Sequence, residues 1–271
     1  MAVLRLAKAQ AYGNDFLLVS LEAAALVSPA GGPGALALVL CDRHQAVGAD
    51  GLILYTIGDR SATMRLFNAD GSPSELSGNG LRCLAALVAR AQDLQASGVV
   101  TVETGAGVKT LEFLERDRQR YTFRASLGSP TDLRQVTLPV LGETLTASVL
   151  RMGNPQCVVL GPLPDADRFA RLGPALATHT MFPAGTNVEF AHVEAEGLVR
   201  VLIWERGVGP TASSGTGAAA AAVAAATHGG AARDVDVISA GGTQRVEWRE
   251  DGVHLTGWAE IVLDGEWLAT S

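Results

Sequence analysis

The chain carries one kind of helix entrance twice. Residues 74–83 read SELSGNGLRC and residues 213–222 read SSGTGAAAAA. In each, a serine stands before Gly-x-Gly and an apolar run follows, the pattern of a capped helix start. Ser77 and Ser214 are 137 positions apart in a chain of 271, about half its length. That spacing favours an internal duplication into two similar α+β halves with a cleft between them. The second run, 218–226, is alanine with one valine. A helix apolar on all sides must be buried, so sheet is expected to wrap around it.

The remaining periodicity supplies that sheet. VLRLAK, GLILYTI, TMRLFN, GVVTVET, VKTLEFLE and RYTFRA alternate as strands do, and a second set follows from LTASVLRMG to AEIVLDG. Two runs read as helices, Leu81 to Arg90 and Ala218 to Thr227, the second stopped by His228-Gly229-Gly230. Gly128 to Arg134 is the expected crossing between the halves.

Composition excludes several functions. The formal net charge is −7 and no Lys/Arg block occurs, which argues against nucleic acid and anionic membrane as partners. The longest Ala/Val run is too short to span a bilayer, and the first residues carry charges where a signal peptide needs its apolar region. A cytoplasmic protein is expected. Cys41, Cys83 and Cys157 are odd in number and widely spaced. They read as core residues, with neither disulfides nor metal binding implied.

A helix N-terminus offers free N–H groups and partial positive charge, and glycine lets a ligand approach them. Two such entrances could grip one small carboxylate and stabilise charge developing on the adjacent carbon. Asn68 in FNADGS and Glu205 and Arg206 in WERGVG lie close to them in sequence. Taken singly, each serine is a plain N-cap, Asn14, Asn154 and Asn187 are turn residues, and Arg206 is a surface ion-pair residue. Gly215-Thr216-Gly217 with Ala220 also fits a dinucleotide fingerprint. No strand runs directly into it, so that reading is set aside.

Together these stretches resemble the diaminopimelate epimerase family of pyridoxal-phosphate-independent amino-acid epimerases. GNDF at 13, CDRHQAVGADG at 41, NADGS at 68, GNGLRC at 78, GNP at 153, FPAGTNVEF at 182, WERGVG at 204, SGTGA at 214 and LTGWAEIVLDGEW at 255 follow the family's order. The resemblance implies two pseudo-symmetric lobes, each a barrel-like, mostly antiparallel sheet around a central helix. The lobes are expected at 1–125 and 126–259, with the C-terminal strand, about 260–271, returning to the first. It implies a small amino-acid substrate, no cofactor and no metal, and leaves a homodimer open. The function implied is interconversion of LL- and meso-diaminopimelate, in lysine and cell-wall biosynthesis, by proton transfer at the α-carbon. Asn14, Asn68, Asn154, Asn187, Glu205 and Arg206 match positions that hold the amino acid. Gly78-Asn79-Gly80 and Gly215-Thr216 match loops that receive its α-carboxylate.

The departures lie at the chemistry. In the family a cysteine sits at each helix entrance, one removing the α-proton and the other returning it; here both are serine, Ser77 and Ser214. A thiol has a pKa near 8.5 that a helix N-terminus lowers, whereas a serine hydroxyl needs an adjacent base. The family's His after GNP is Gln156, Pro210 stands where Glu is frequent, and Gln10-Ala11 replaces a His-Gly pair. Glu75 or Glu205 could assist the serines. An isomerase or dehydratase acting on another small amino or hydroxy acid, and a non-catalytic amino-acid-binding protein, are the alternatives.

Overall fold

The computed structural model describes residues 2–27 and 31–269. The chain divides into two units, one formed by residues up to 125 together with those from 257 onward, the other by 126–256. The first contains strands β1 (Ala2–Ala11), β2 (Asn14–Ser20), β3 (Gly51–Gly58), β4 (Ser61–Asn68), β5 (Pro73–Ser74), β6 (Val99–Thr104), β7 (Gly107–Asp117) and β8 (Arg120–Gly128). Its helices are α1 (Leu21–Val27), α2 (Gly32–Leu40) and α3 (Gly78–Ala91). The second contains β9 (Thr131–Val140), β10 (Glu143–Met152), β11 (Asn154–Leu160), β12 (Asn187–Ala195), β13 (Leu198–Glu205), β14 (Gly209–Thr211), β15 (Asp234–Ser239) and β16 (Gly242–Arg249). Its helices are α4 (Ala166–Ala177) and α5 (Gly215–Ala224). A last strand, β17 (Gly252–Ala269), runs from the second unit into the first. Between β8 and β9 only Ser129 and Pro130 lie outside strands.

The duplication is visible in the pairing. In the first unit β1–β2 is antiparallel, β2–β3 parallel, β3–β4 antiparallel, β4–β6 parallel, and β6–β7 and β7–β8 antiparallel. The second unit repeats that order from β10 through β11, β12, β13, β15 and β16 to β17. Each parallel step needs a crossover. Helices α1 and α2 supply the first and α3 the second, and α4 and α5 do the same in the other unit. In the first unit β17 also pairs with β8 and with β1, so eight strands close into a barrel.

Helices α3 and α5 fill the two sheets. From Asn79 to Ala89 every residue of α3 is buried, as is every residue of α5 from Gly217 to its end. The alanine-rich sequence of α5 is thus a core sequence, as its lack of a polar face requires. Beyond Ala224 the helix widens into a π-turn, Ala225–Gly229, and stops at Gly230, whose φ of 79° is the left-handed conformation of a glycine cap.

The expectation of two helices needs correction, because α1, α2 and α4 are also present. Helix α1 has seven residues and α2 begins Gly-Pro-Gly, so neither shows a helical period long enough to read. Helix α4 is capped by Asp165, which accepts from the Arg168 amide at 2.8 Å, but Gly173 and Pro174 interrupt its pattern. Gly173 is there for packing: a Cβ on it would lie 2.6 Å from the Trp204 ring. Gly→Ala in a helix normally stabilises by about 1 kcal/mol. Here overpacking should reverse the sign, and Gly173→Ala is expected to cost about 1–3 kcal/mol in urea unfolding. A gain in stability would show that the indole yields freely.

Candidate active site

Both serines cap their helices as the sequence predicts. Ser77 (φ −130°, ψ 124°) and Ser214 (φ −137°, ψ 127°) are extended, and their hydroxyls accept from the amides of Gly80 at 3.1 Å and Gly217 at 3.3 Å. The rest of the two surroundings differs.

In the second unit Ser214 is buried and its hydroxyl lies beside the Glu205 carboxylate. Burial pushes the Glu205 carboxyl above its ordinary range, and the Ser214 hydroxyl pulls it part of the way back. A second carboxyl stands close by. A Cβ on Gly217 would lie 3.0 Å from Glu189 Oε1 and 3.3 Å from Ser214 Oγ, so the acid and the serine crowd the same point on α5. A side chain there would force one of them to shift. Glu189 is fully buried and neither carboxyl oxygen has a hydrogen-bond partner. Burial, and then the nearby charge of Glu205, drive its carboxyl well above the usual carboxylate range.

The other candidates of this unit line the same strand ends. Gln156 pairs in register with Asn187 across β11 and β12. Its amide donates to Asn154 Oδ1 at 2.6 Å, while its Oε1 is buried without a partner. Asn187 Oδ1 accepts from the Arg206 amide at 2.9 Å. The Arg206 guanidinium donates to the Ala184 carbonyl at 2.7 Å, its stem lying over Gly185. Gly215 and Thr216 open α5 and are partly exposed.

In the first unit Asn79 is the hub. It accepts from Arg82 Nη2 at 2.5 Å and donates to Asn14 Oδ1 at 3.3 Å. Asn14 in turn donates to Asp50 at 2.7 Å, and Arg43 bridges Asp50 and Asp15. Burial raises Asp15, but hydrogen bonds from Arg43 and Lys8 outweigh it and hold it at about 2. Arg82 is 3% exposed, stacks on Tyr12, and keeps its Nε unpartnered. Asn68 stands outside this chain and donates to Ser72 Oγ at 2.9 Å. Gly78 is exposed and Gly80 buried at the helix start. Glu75, one of the two carboxylates expected to assist, is exposed and makes no hydrogen bond to Ser77 among the described residues, whereas Glu205 is largely buried and stands beside Ser214.

The three cysteines stand apart from both helix-capping serines in chemistry as well as in sequence position. All three are free and buried, and burial pushes the thiols of Cys41 and Cys83 up to about 12 and that of Cys157 still higher. Glu189, Arg82 and Asp50 were missed by sequence reasoning. The signal for Glu189 was a carboxylate on an inward position of TNVEF, and for Arg82 a cation inside an apolar helix.

Among the described residues no single helix is long and apolar enough to cross a membrane. The family model described as Diaminopimelate epimerase matches residues 6–131 and 148–262. A diaminopimelate epimerase from Desulforudis audaxviator is 43% identical, the match covering 96% of this chain and 98% of the relative. One from Desulfovibrio desulfuricans is 37% identical over 98% and 99%, and a chloroplastic one from Oryza sativa subsp. japonica 37% over 97% and 79%. Among solved structures, a phenazine-biosynthesis protein of the PhzF family from Bacillus anthracis superposes with a TM-score of 0.69 at 14% identity, covering 99% of this chain and 100% of that one. A hydroxyproline epimerase from Agrobacterium vitis, with trans-4-hydroxy-L-proline bound, gives 0.66 at 15%, covering 98% and 91%. At these identities the two structures speak for the fold alone.

Proposed function

The chain belongs to the diaminopimelate epimerase family, and from that premise we propose that it interconverts LL- and meso-diaminopimelate by moving the α-proton, with Ser214 and Glu205 as its working acid–base pair. The observation that carries this reading is the buried Ser214 hydroxyl, capping α5, set beside a partly desolvated Glu205 carboxylate. Ser214 Oγ takes the α-proton as its own proton passes to Glu205. The C–H bond breaks, its electron pair is delocalised toward the substrate carboxylate, and the hydroxyl is re-formed. The helix N-terminus stabilises the charge that develops. Asn14, Asn68, Asn154, Asn187 and Arg206 hold the amino acid, and the amides of Gly78-Asn79-Gly80 and Gly215-Thr216 receive its α-carboxylate. Ser77, which caps the other core helix, is the second acid–base residue of this reading; among the described residues no carboxylate hydrogen-bonds to it, which makes its step the slower one. No cofactor is required.

Incorporation of deuterium from solvent at the α-carbon tests the reading. Glu205→Gln should lower exchange by about 10²–10⁴-fold, the usual contribution of a positioned base. Exchange that is equal in both proteins would remove Glu205 from the chemistry. The unequal equipment of the two serines also suits an isomerase that needs one strong base, and product analysis of the exchange reaction separates the two activities. Thermal stabilisation by diaminopimelate without exchange would mark a binding protein instead. The same reading places the protein in the cytoplasm, with its oligomeric state to be read by sedimentation.

A further inference from the structure

We propose that Glu189 is a positioning residue that stays protonated beside Glu205, so that the two carboxyl groups together carry a single negative charge on the Ser214 side. The inference rests on the reading of Ser214 and Glu205 given above and adds a residue that touches no substrate. Register puts the two acids on one face. Glu189 pairs with Ile203 across β12 and β13, and Glu205 lies two residues beyond Ile203. In an antiparallel ladder such diagonal neighbours are within reach of long side chains. The α5 entrance closes the third side, with Glu189 and Ser214 both crowding the point above Gly217.

Burial alone does not explain an acid here. Replacing Glu189 by an apolar residue would relieve two unpartnered buried oxygens, so a purely structural role gives no reason for a carboxyl at this point. As a neutral acid it leaves a single negative charge, that of Glu205, beside the anion-binding helix start. As an anion it would put two charges there, opposing the substrate carboxylate and the carbanion together. The ionisable groups that bear on Glu189 are Glu205 of β13 and Cys157 of β11, with the Ser214 hydroxyl at α5. Among the described residues Glu205 is the one charge that acts on it, and it raises the Glu189 carboxyl further.

The pair is tested by infrared difference spectroscopy together with exchange kinetics. At neutral pH the carbonyl stretch of a protonated carboxylic acid should be present in the parent and absent in Glu189→Gln. In Glu205→Gln the band should remain but titrate away at lower pH, because its negative neighbour is gone. Exchange of the diaminopimelate α-proton should fall on the alkaline side in the parent, and that limb should vanish in Glu189→Gln. If Glu189→Gln loses no band, Glu189 is ionised and the proposal fails. If the band's titration ignores Glu205→Gln, the two acids are uncoupled and it fails equally. A parent that exchanges at no pH would sink the epimerase reading, and the infrared bands would still decide the pair.

Discussion

Replacing Ser77 and Ser214 together by cysteine should raise α-proton exchange on diaminopimelate by about 10²-fold or more, the scale of positioned acid–base catalysis. Both side chains already occupy N-cap positions, with their oxygens against the amides of Gly80 and Gly217. A thiol placed there meets the field that lowers its pKa, whereas a hydroxyl starts too high for the same field to ionise it. The two sites should not contribute equally. Ser214 already has Glu205 behind it, and that negative charge would oppose thiolate formation at 214. Among the described residues no carboxylate hydrogen-bonds to Ser77, so Ser77→Cys alone should gain more than Ser214→Cys alone. Proton NMR in deuterium oxide gives the exchange, and chiral chromatography the inversion. A double variant that binds diaminopimelate and stays inert would mean that the site has left α-proton chemistry.

Glu189→Met is expected to stabilise the protein by about 1–3 kcal/mol at neutral pH, the cost of a buried polar group left unsatisfied. Its two carboxyl oxygens are buried without partners, and methionine fills a similar volume without them. The pH dependence has a definite sign. Burial raises the folded-state pKa of Glu189 above its unfolded value. The folded state therefore binds the proton more tightly, and the stability this confers is complete below the unfolded pKa. It is lost as pH climbs toward the folded value. Methionine carries no such dependence, so the advantage of the variant should widen from acid to neutral pH. Urea melts at a series of pH values measure it, and a gap that narrows with rising pH would show that Glu189 is ionised in the native protein.

The duplicated architecture was legible because its signals are local and repeated. The serine, the paired glycines and the apolar run announce both core helices, and alternation announces most strands. The short helices were hidden by their length and by Gly and Pro. For the candidate site, residue identity singled out Ser77, Ser214 and Glu205, since motif positions can be read along the chain. What escaped was proximity across strands. Glu189 and Glu205 are 16 positions apart, and only the β12–β13 register puts them on one face. Arg82, Asn79, Asn14 and Asp50 likewise join residues from α3, β2 and the turn before β3, a chain that no spacing rule anticipates.

The eighteen-residue strand β17 carries a consequence for synthesis. The second unit is one continuous stretch, 126–256, and is complete once that stretch has emerged. The first unit begins at the N-terminus, yet its barrel closes only when β17 pairs with β1 and β8. On the ribosome, therefore, the half made first is the half finished last. Until then β1 and β8 leave the exit tunnel as open edges, able to pair with other chains. The interval is the time taken to translate the whole second unit.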